Sequence, residues 1–188
     1  MRNIAFVKAV ASGNDFVIID RFRGQNAKGK GQIGVLAKEL CRRKLSVGAD
    51  GLLVIESSKS CDFKMRVFNP DGSEVDMCGN GIRCLALYAA GEGICGNKMC
   101  IETRAGNLQA GVEQDKVKIK MSRPKNLRLK FDLNVNSKNY NANYINTGVP
   151  HVVFFVQDLD GFDVEAPSGG SGFYPMVRIF TFGINTKF

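Results

Sequence analysis

The chain has 188 residues, 44% hydrophobic and 23% charged, with a formal net charge of +8. That length suits one ordinary domain or two small ones, and the composition excludes a disordered chain. No apolar run reaches the roughly 20 residues of a membrane helix, and Arg2, Lys8, Asn14 and Asp15 interrupt the N-terminus too closely for a secretory signal, so a cytoplasmic protein without membrane attachment is expected.

IAFVKAV (4–10) and DFVIID (15–20) read as strands bounded by Gly, Asn and Asp. GQIGVLAKELCRRKL follows, with Ile33, Leu36, Ala37, Leu40 and Cys41 on one helical stripe. GLLVIES (51–57) and FKMRVFN (63–69) are again strands. GIRCLALYAAGEG then repeats the helical spacing through Ile82, Leu85, Ala86 and Ala89, and Gly91 and Gly93 supply a stop. This segment is apolar on nearly all sides, as a helix enclosed by strands would be. MCIET (99–103), LQAGVEQ (108–114) and KVKIKM (116–121) complete the run, the last alternating Lys and apolar residues cleanly. The pattern predicts an α+β fold, a small antiparallel barrel or strongly curled sheet around a central helix.

After Met121 the texture changes. SRPKNLRLKFDLNVNSKNYNANY (122–144) is polar and Asn-rich and reads as a loop, which puts a domain boundary between 1–121 and 122–188. YINTGVPHVVFFVQDL (144–159) restarts the strand pattern, and MVRIFTF (176–182) is a last candidate strand. The second unit has no evident helix and reads as incomplete.

The densest basic groups, CRRKL (41–45) and RPKNLRLK (123–130), interleave no aromatics in a binding pattern, so the positive charge reads as scattered solvated cations and no nucleic-acid partner is expected. The six cysteines form no C-x2-C or C-x4-C pair and the sole histidine is His151, so no metal site is expected. Without an export signal, reduced thiols are expected, most of them small buried hydrophobes.

Cys78 stands apart. It precedes Gly79-Asn80-Gly81, and the helical pattern begins at Ile82. Unpaired N–H groups at a helix start stabilise a thiolate and can hold an anion. A carboxylate bound there would lie beside the thiol, an arrangement suited to moving an amino acid's α-proton, with the amides stabilising charge that spreads into the carboxylate. An ordinary buried cysteine before a glycine-started helix has the same spacing. Asn14, in SGNDFVIID, offers a neutral amide. Asn69 precedes a Pro-Asp-Gly turn and suits fixing that turn as well as touching a ligand. His151 follows Gly-Val-Pro on a loop entering a strand.

SGNDFVIID, GADGLLVIE, FNPDGSEVDMCGNGIRC and TGVPH, in this order and at these separations, closely resemble the diaminopimelate epimerase family. The resemblance implies two similar domains, each a β-barrel around a central helix, with the substrate between them. It implies interconversion of LL- and meso-diaminopimelate on the way to lysine and peptidoglycan, with neither pyridoxal phosphate nor metal. Two cysteines, one per domain, act on opposite faces of the α-carbon. By motif, Cys78 is the first-domain acid/base, and Gly79 and Asn80 bind the α-carboxylate. Asn14 and Asn69 line the pocket, His151 supports the catalytic geometry, and Asn185 in FGINTKF supplies another substrate contact. A homodimer is compatible with the sequence.

The departures are specific. The family's Glu-Arg-Gly segment and second Cys-Gly turn do not occur before Phe188, so the 188-residue chain alone is expected to be inactive in inversion. Val149 stands where many relatives have Asn, and Gly51 where some have Gln. Two alternatives follow: a non-catalytic carboxylate-binding or interaction module, or another cofactor-independent isomerase on this fold.

Overall fold

Val7–Ala11 (β1) and Asn14–Asp20 (β2) form an antiparallel hairpin, because Ser12 and Gly13 take up φ of 54° and 81°, the left-handed conformation that a two-residue turn between twisted strands needs. The computed structural model describes residues 4–22, 30–121, 123–135, 138–147, 150–155 and 177–180. After β2 come helix α1 (Lys30–Leu40), β3 (Gly51–Glu56), β4 (Phe63–Phe68), the short β5 (Glu74–Val75) and helix α2 (Gly79–Gly91). β6 (Lys98–Thr103), β7 (Gly106–Glu113) and β8 (Lys116–Lys120) follow as a meander. β9 (Lys125–Val135), β10 (Lys138–Asn146), β11 (Pro150–Phe154) and β12 (Val177–Phe180) complete the described elements.

The main sheet runs β12-β1-β2-β3-β4-β6-β7-β8, with β5 paired to β4. It is mixed, not purely antiparallel as expected: β2 pairs β3 and β4 pairs β6 in parallel. The cause is topological. A helix lies between the members of each pair in the chain, and such a crossover returns the chain in the same direction.

α2 contacts β1, β2, β3, β4, β7, β8 and β12, so the sheet curls until strands from both of its ends bear on the helix. That is the enclosed central helix of the sequence reading, and Gly81, Ile82, Cys84, Leu85, Ala86, Tyr88 and Ala89 are all buried in it. Full burial of a side chain such as Ile82 or Leu85 is worth about 1.5–3 kcal/mol. β2 and β3 are sandwiched. Leu52 and Val54 join Val17, Ile19 and Phe68 in a cluster with Ile33, Ala37 and Leu40 of α1 and with Cys41 just after it. Leu53, on the opposite face, reaches the start of α2. The continuous apolar runs in these strands follow from helices covering both faces.

α1 stops at Leu40, short of the CRRKL tail of its sequence segment, where Lys44 and Gly48 adopt φ of 66° and 72° and Gly48 N–H donates back to the Leu40 carbonyl at 2.9 Å. α1 also lies against the turn after β4: a Cβ on Gly34 would stand 2.7 Å from the Gly72 carbonyl oxygen. Only backbone fits between them.

Contacts divide the chain into one unit of Met1–Lys120 with Gly172–Phe188 and another of Met121–Ser171. The change of texture after Met121 predicts that all of 122–188 belongs to a second domain; β12 instead pairs with β1 in the first unit's sheet. In the second unit, β9, β10 and β11 form a three-stranded antiparallel sheet, so most of 122–144 is strand where a loop was expected. Leu127, Leu129, Phe131 and Leu133 do alternate with polar residues, but Leu127 and Leu129 are more than half exposed. Among the described residues no helix is long and apolar enough to cross a membrane.

Candidate active site

Cys78 is the N-cap of α2. Its backbone is extended (φ −138°, ψ 119°), and its carbonyl accepts the first helical bond from Ile82 N–H at 2.9 Å. Its Sγ accepts from Gly81 N–H at 3.4 Å, sulfur taking the place that a Ser or Asp oxygen commonly fills. The amides of Gly79 and Asn80 lie in the first turn, where no intrahelical acceptor precedes them. Cys78 is half-buried, so its thiol is not closed off as the core thiols are.

The two glycines have different reasons. A Cβ at Gly81 would stand 2.9 Å from Cδ2 of the fully buried Leu53, so glycine lets the helix start seat on β3. A Cβ at Gly79 would meet only the Arg83 guanidinium, at 3.7 Å. The protein's own packing does not require glycine there.

Asn14 and Asn80 come together. Asn80 Nδ2 donates to Asn14 Oδ1 at 3.2 Å, and Asn14 Nδ2 donates to Asp50 Oδ2 at 2.9 Å. Arg83 Nη1 donates to Asn80 Oδ1 at 3.3 Å and to the Gly79 carbonyl at 3.1 Å. Asp50 also accepts from Asp15 N–H at 3.0 Å and from Arg43 at 2.6 Å. Arg43 bonds Asp15 as well, and Lys8 lies 2.8 Å from Asp15. Burial by itself would raise the Asp15 carboxyl, but hydrogen bonds from Lys8 and Arg43 outweigh it and hold the group down to about 2.

Asn69 serves its turn. Its N–H donates to the Ser73 carbonyl, its carbonyl accepts from Gly72 N–H, and its Nδ2 donates to Ser73 Oγ at 3.1 Å. His151 lies on β11 in the other unit, exposed, with Nε2 3.1 Å from Thr147 Oγ1. Asn185 lies outside the described residues. Asp50 and Arg83 join the site without a sequence signal of their own, although both lie inside the GADG and CGNGIRC stretches.

The other thiols are distinct. Burial pushes Cys84 up to about 12, with a smaller contribution from neighbouring Cys78, and pushes Cys41 up to about 11. Cys95 follows the C-terminal end of α2, with its sulfur 3.8 Å from the Met99 sulfur. Cys61 and Cys100 are joined in a disulfide with Cα atoms 4.9 Å apart, which corrects the expectation of reduced thiols throughout. The physical reason is the pairing of β4 with β6: Phe63 stands opposite Ile101, and Asp62 N–H donates to the Cys100 carbonyl at 3.1 Å, which leaves Cys61, one residue earlier, beside Cys100, 39 positions away in the chain.

Residues 6–127 match the family model of diaminopimelate epimerase. The diaminopimelate epimerase of Archaeoglobus fulgidus is 39% identical over 173 residues, covering 86% of this chain and 61% of that protein. The diaminopimelate epimerase of Methanocella arvoryzae is 36% identical over 207 aligned residues, covering 100% of this chain and 70% of that protein. The chain thus spans roughly three fifths of the length of the first of these relatives. A Bacillus anthracis phenazine biosynthesis protein of the PhzF family shares the fold, with a TM-score of 0.64 at 22% identity over 85% of this chain and 58% of that one.

Proposed function

The chain belongs to the diaminopimelate epimerase family, and from that premise we propose that Cys78 is a proton-transferring thiol in the interconversion of LL- and meso-diaminopimelate. The observation that carries the reading is the half-buried Cys78 sulfur at the cap of α2, accepting from Gly81 N–H, next to first-turn amides without intrahelical acceptors. The Gly79 and Asn80 amides hold the α-carboxylate. The Cys78 thiolate takes the α-proton: the C–H bond breaks, an S–H bond forms, and the electron pair spreads toward the carboxylate, where the amides and the positive end of the helix stabilise it. Asn14 lines the pocket from β2, and Asn69 from the turn it braces. His151 and Asn185 are assigned to the site on motif alone, as support for the catalytic geometry and a further substrate contact. No cofactor is required by this chemistry, and the substrate is a small diamino diacid.

Inversion needs a second donor on the opposite face of the α-carbon. Cys41 and Cys84 are buried and Cys61 is bonded to Cys100. Cys95 follows the far end of a 13-residue helix, an end about 20 Å from Cys78 along the axis. None of these supplies that donor. Incubation of the 188-residue chain with LL-diaminopimelate in heavy water tests the proposal by following α-deuterium and stereochemistry together. Deuterium should enter with retained configuration and fail to enter with Cys78→Ala. Equal exchange by the alanine variant would overturn the assignment of Cys78, and rapid inversion by the 188-residue chain would overturn the one-thiol account.

A further inference from the structure

We propose that Asp50, at the approach to β3, is a positioning residue that fixes which way the side-chain amides of Asn14 and Asn80 point beside Cys78. This deepens the function proposed above and rests on it. A carboxamide is nearly symmetric in shape, so packing alone does not choose between its oxygen and nitrogen positions. Its neighbours do.

Here the neighbours form a line with one polarity. Arg83 donates to Asn80 Oδ1 at 3.3 Å, Asn80 Nδ2 donates to Asn14 Oδ1 at 3.2 Å, and Asn14 Nδ2 donates to Asp50 Oδ2 at 2.9 Å. One end is a guanidinium, which only donates; the other is a carboxylate, which only accepts. Reversing either amide would set oxygen against oxygen or nitrogen against nitrogen at hydrogen-bond distance. Asp50 is itself held, by Asp15 N–H on Oδ2 and by Arg43 on Oδ1. Each amide nitrogen therefore keeps a second N–H in a determined direction. Those two donors, added to the backbone amides of Gly79 and Asn80, suit a carboxylate and not an ammonium group. Asp50 touches no reacting atom; it acts through Asn14.

Asp50→Asn is the discriminating variant, because it keeps the volume but turns one carboxylate oxygen into an NH2: placed toward Asn14 and Asp15 N–H, which share Oδ2, that NH2 opposes two donors, and placed toward Arg43 it opposes a guanidinium. Asp15→Asn is the control. The Asp15 side chain bonds Lys8, Arg43 and the Asp50 backbone N–H, and bonds neither asparagine. The measurements are the assigned side-chain NH2 resonances of Asn14 and Asn80, and the diaminopimelate concentration that half-protects Cys78 from iodoacetamide. In D50N both sets of resonances should move or broaden, and the half-protecting concentration should rise about tenfold, corresponding to roughly 1.4 kcal/mol. D15N should leave the resonances in place and change protection less than about twofold. Unchanged Asn14 and Asn80 resonances in folded D50N would overturn the proposal, as would equal effects of D15N and D50N. If D50N does not fold, the wild-type chain decides: a through-hydrogen-bond coupling from Asn14 Nδ2 to the Asp50 carboxyl carbon supports the alignment, and Asn14 side-chain protons exchanging as fast as those of an exposed amide refute it. Absence of any protection of the wild-type thiol by diaminopimelate would count against the proposed function, while the resonances still judge the alignment separately.

Discussion

Gly79 and Gly81 flank Asn80, and alanine at each position distinguishes packing from ligand access. Alanine in place of a helical glycine gains about 1 kcal/mol of intrinsic propensity. At position 81 the new methyl would lie 2.9 Å from Leu53 Cδ2 and 3.4 Å from Cys78 Cβ. Leu53 is fully buried, so the methyl can be accommodated only by a shift within the core. Overpacking of this kind costs about 1–3 kcal/mol, so Gly81→Ala should lose up to about 2 kcal/mol net. At position 79 the nearest neighbour is the Arg83 guanidinium at 3.7 Å, an ordinary contact. Gly79→Ala should therefore be as stable as the parent, or better by a fraction of the propensity gain, while its methyl intrudes on the amides proposed to hold the carboxylate. Urea unfolding of both variants gives the stability difference, and diaminopimelate protection of Cys78 from iodoacetamide gives access. A Gly81→Ala protein at least as stable as Gly79→Ala would refute the close seating of α2 on β3. Full protection in Gly79→Ala would refute the role given to the open side of the helix start.

Two further outcomes are expected. Reduction of the Cys61–Cys100 bond reopens a loop of 39 residues, for which the chain-entropy account gives a loss of about 4 kcal/mol as an upper figure; the urea midpoint should fall with dithiothreitol, and a midpoint indifferent to reductant, or a mass showing six free thiols, would contradict the pairing. Because Asp15 is held down to about 2, the stability from its contacts with Lys8 and Arg43 is complete above the unfolded carboxylate value of about 4 and is lost as pH falls toward 2. Asp15→Asn should flatten the acid side of a urea-midpoint against pH curve, and an unchanged slope would show that other carboxylates dominate it.

The central helix was legible because its apolar residues leave no polar face, and only enclosure by strands accommodates that. The cap was legible for a related reason: Cys-Gly-Asn-Gly ahead of an apolar helical pattern leaves little else for the chain to do. Other features are set by distance across the fold. Nothing local to GADG says that Asp50 meets Asn14, since the contact depends on β2 and β3 running parallel from the same end. The disulfide likewise follows from the pairing of β4 with β6. The missed strands β9 and β10 have a different cause. Their alternation is present, but Pro124 and the many asparagines point to a loop, and little burial marks either face. Asn69 retains both of its sequence meanings, with the turn observed and the substrate contact proposed.

Strands from both margins of the sheet bear on α2, and this bears on how a ligand would be received. The amides at its start are immobilised by folding itself, so an arriving anion would meet donors already in place and would lose little affinity to ordering them. Adaptation to one ligand over another would then fall to groups elsewhere around the opening, while this end of the helix acts as a fixed reference point.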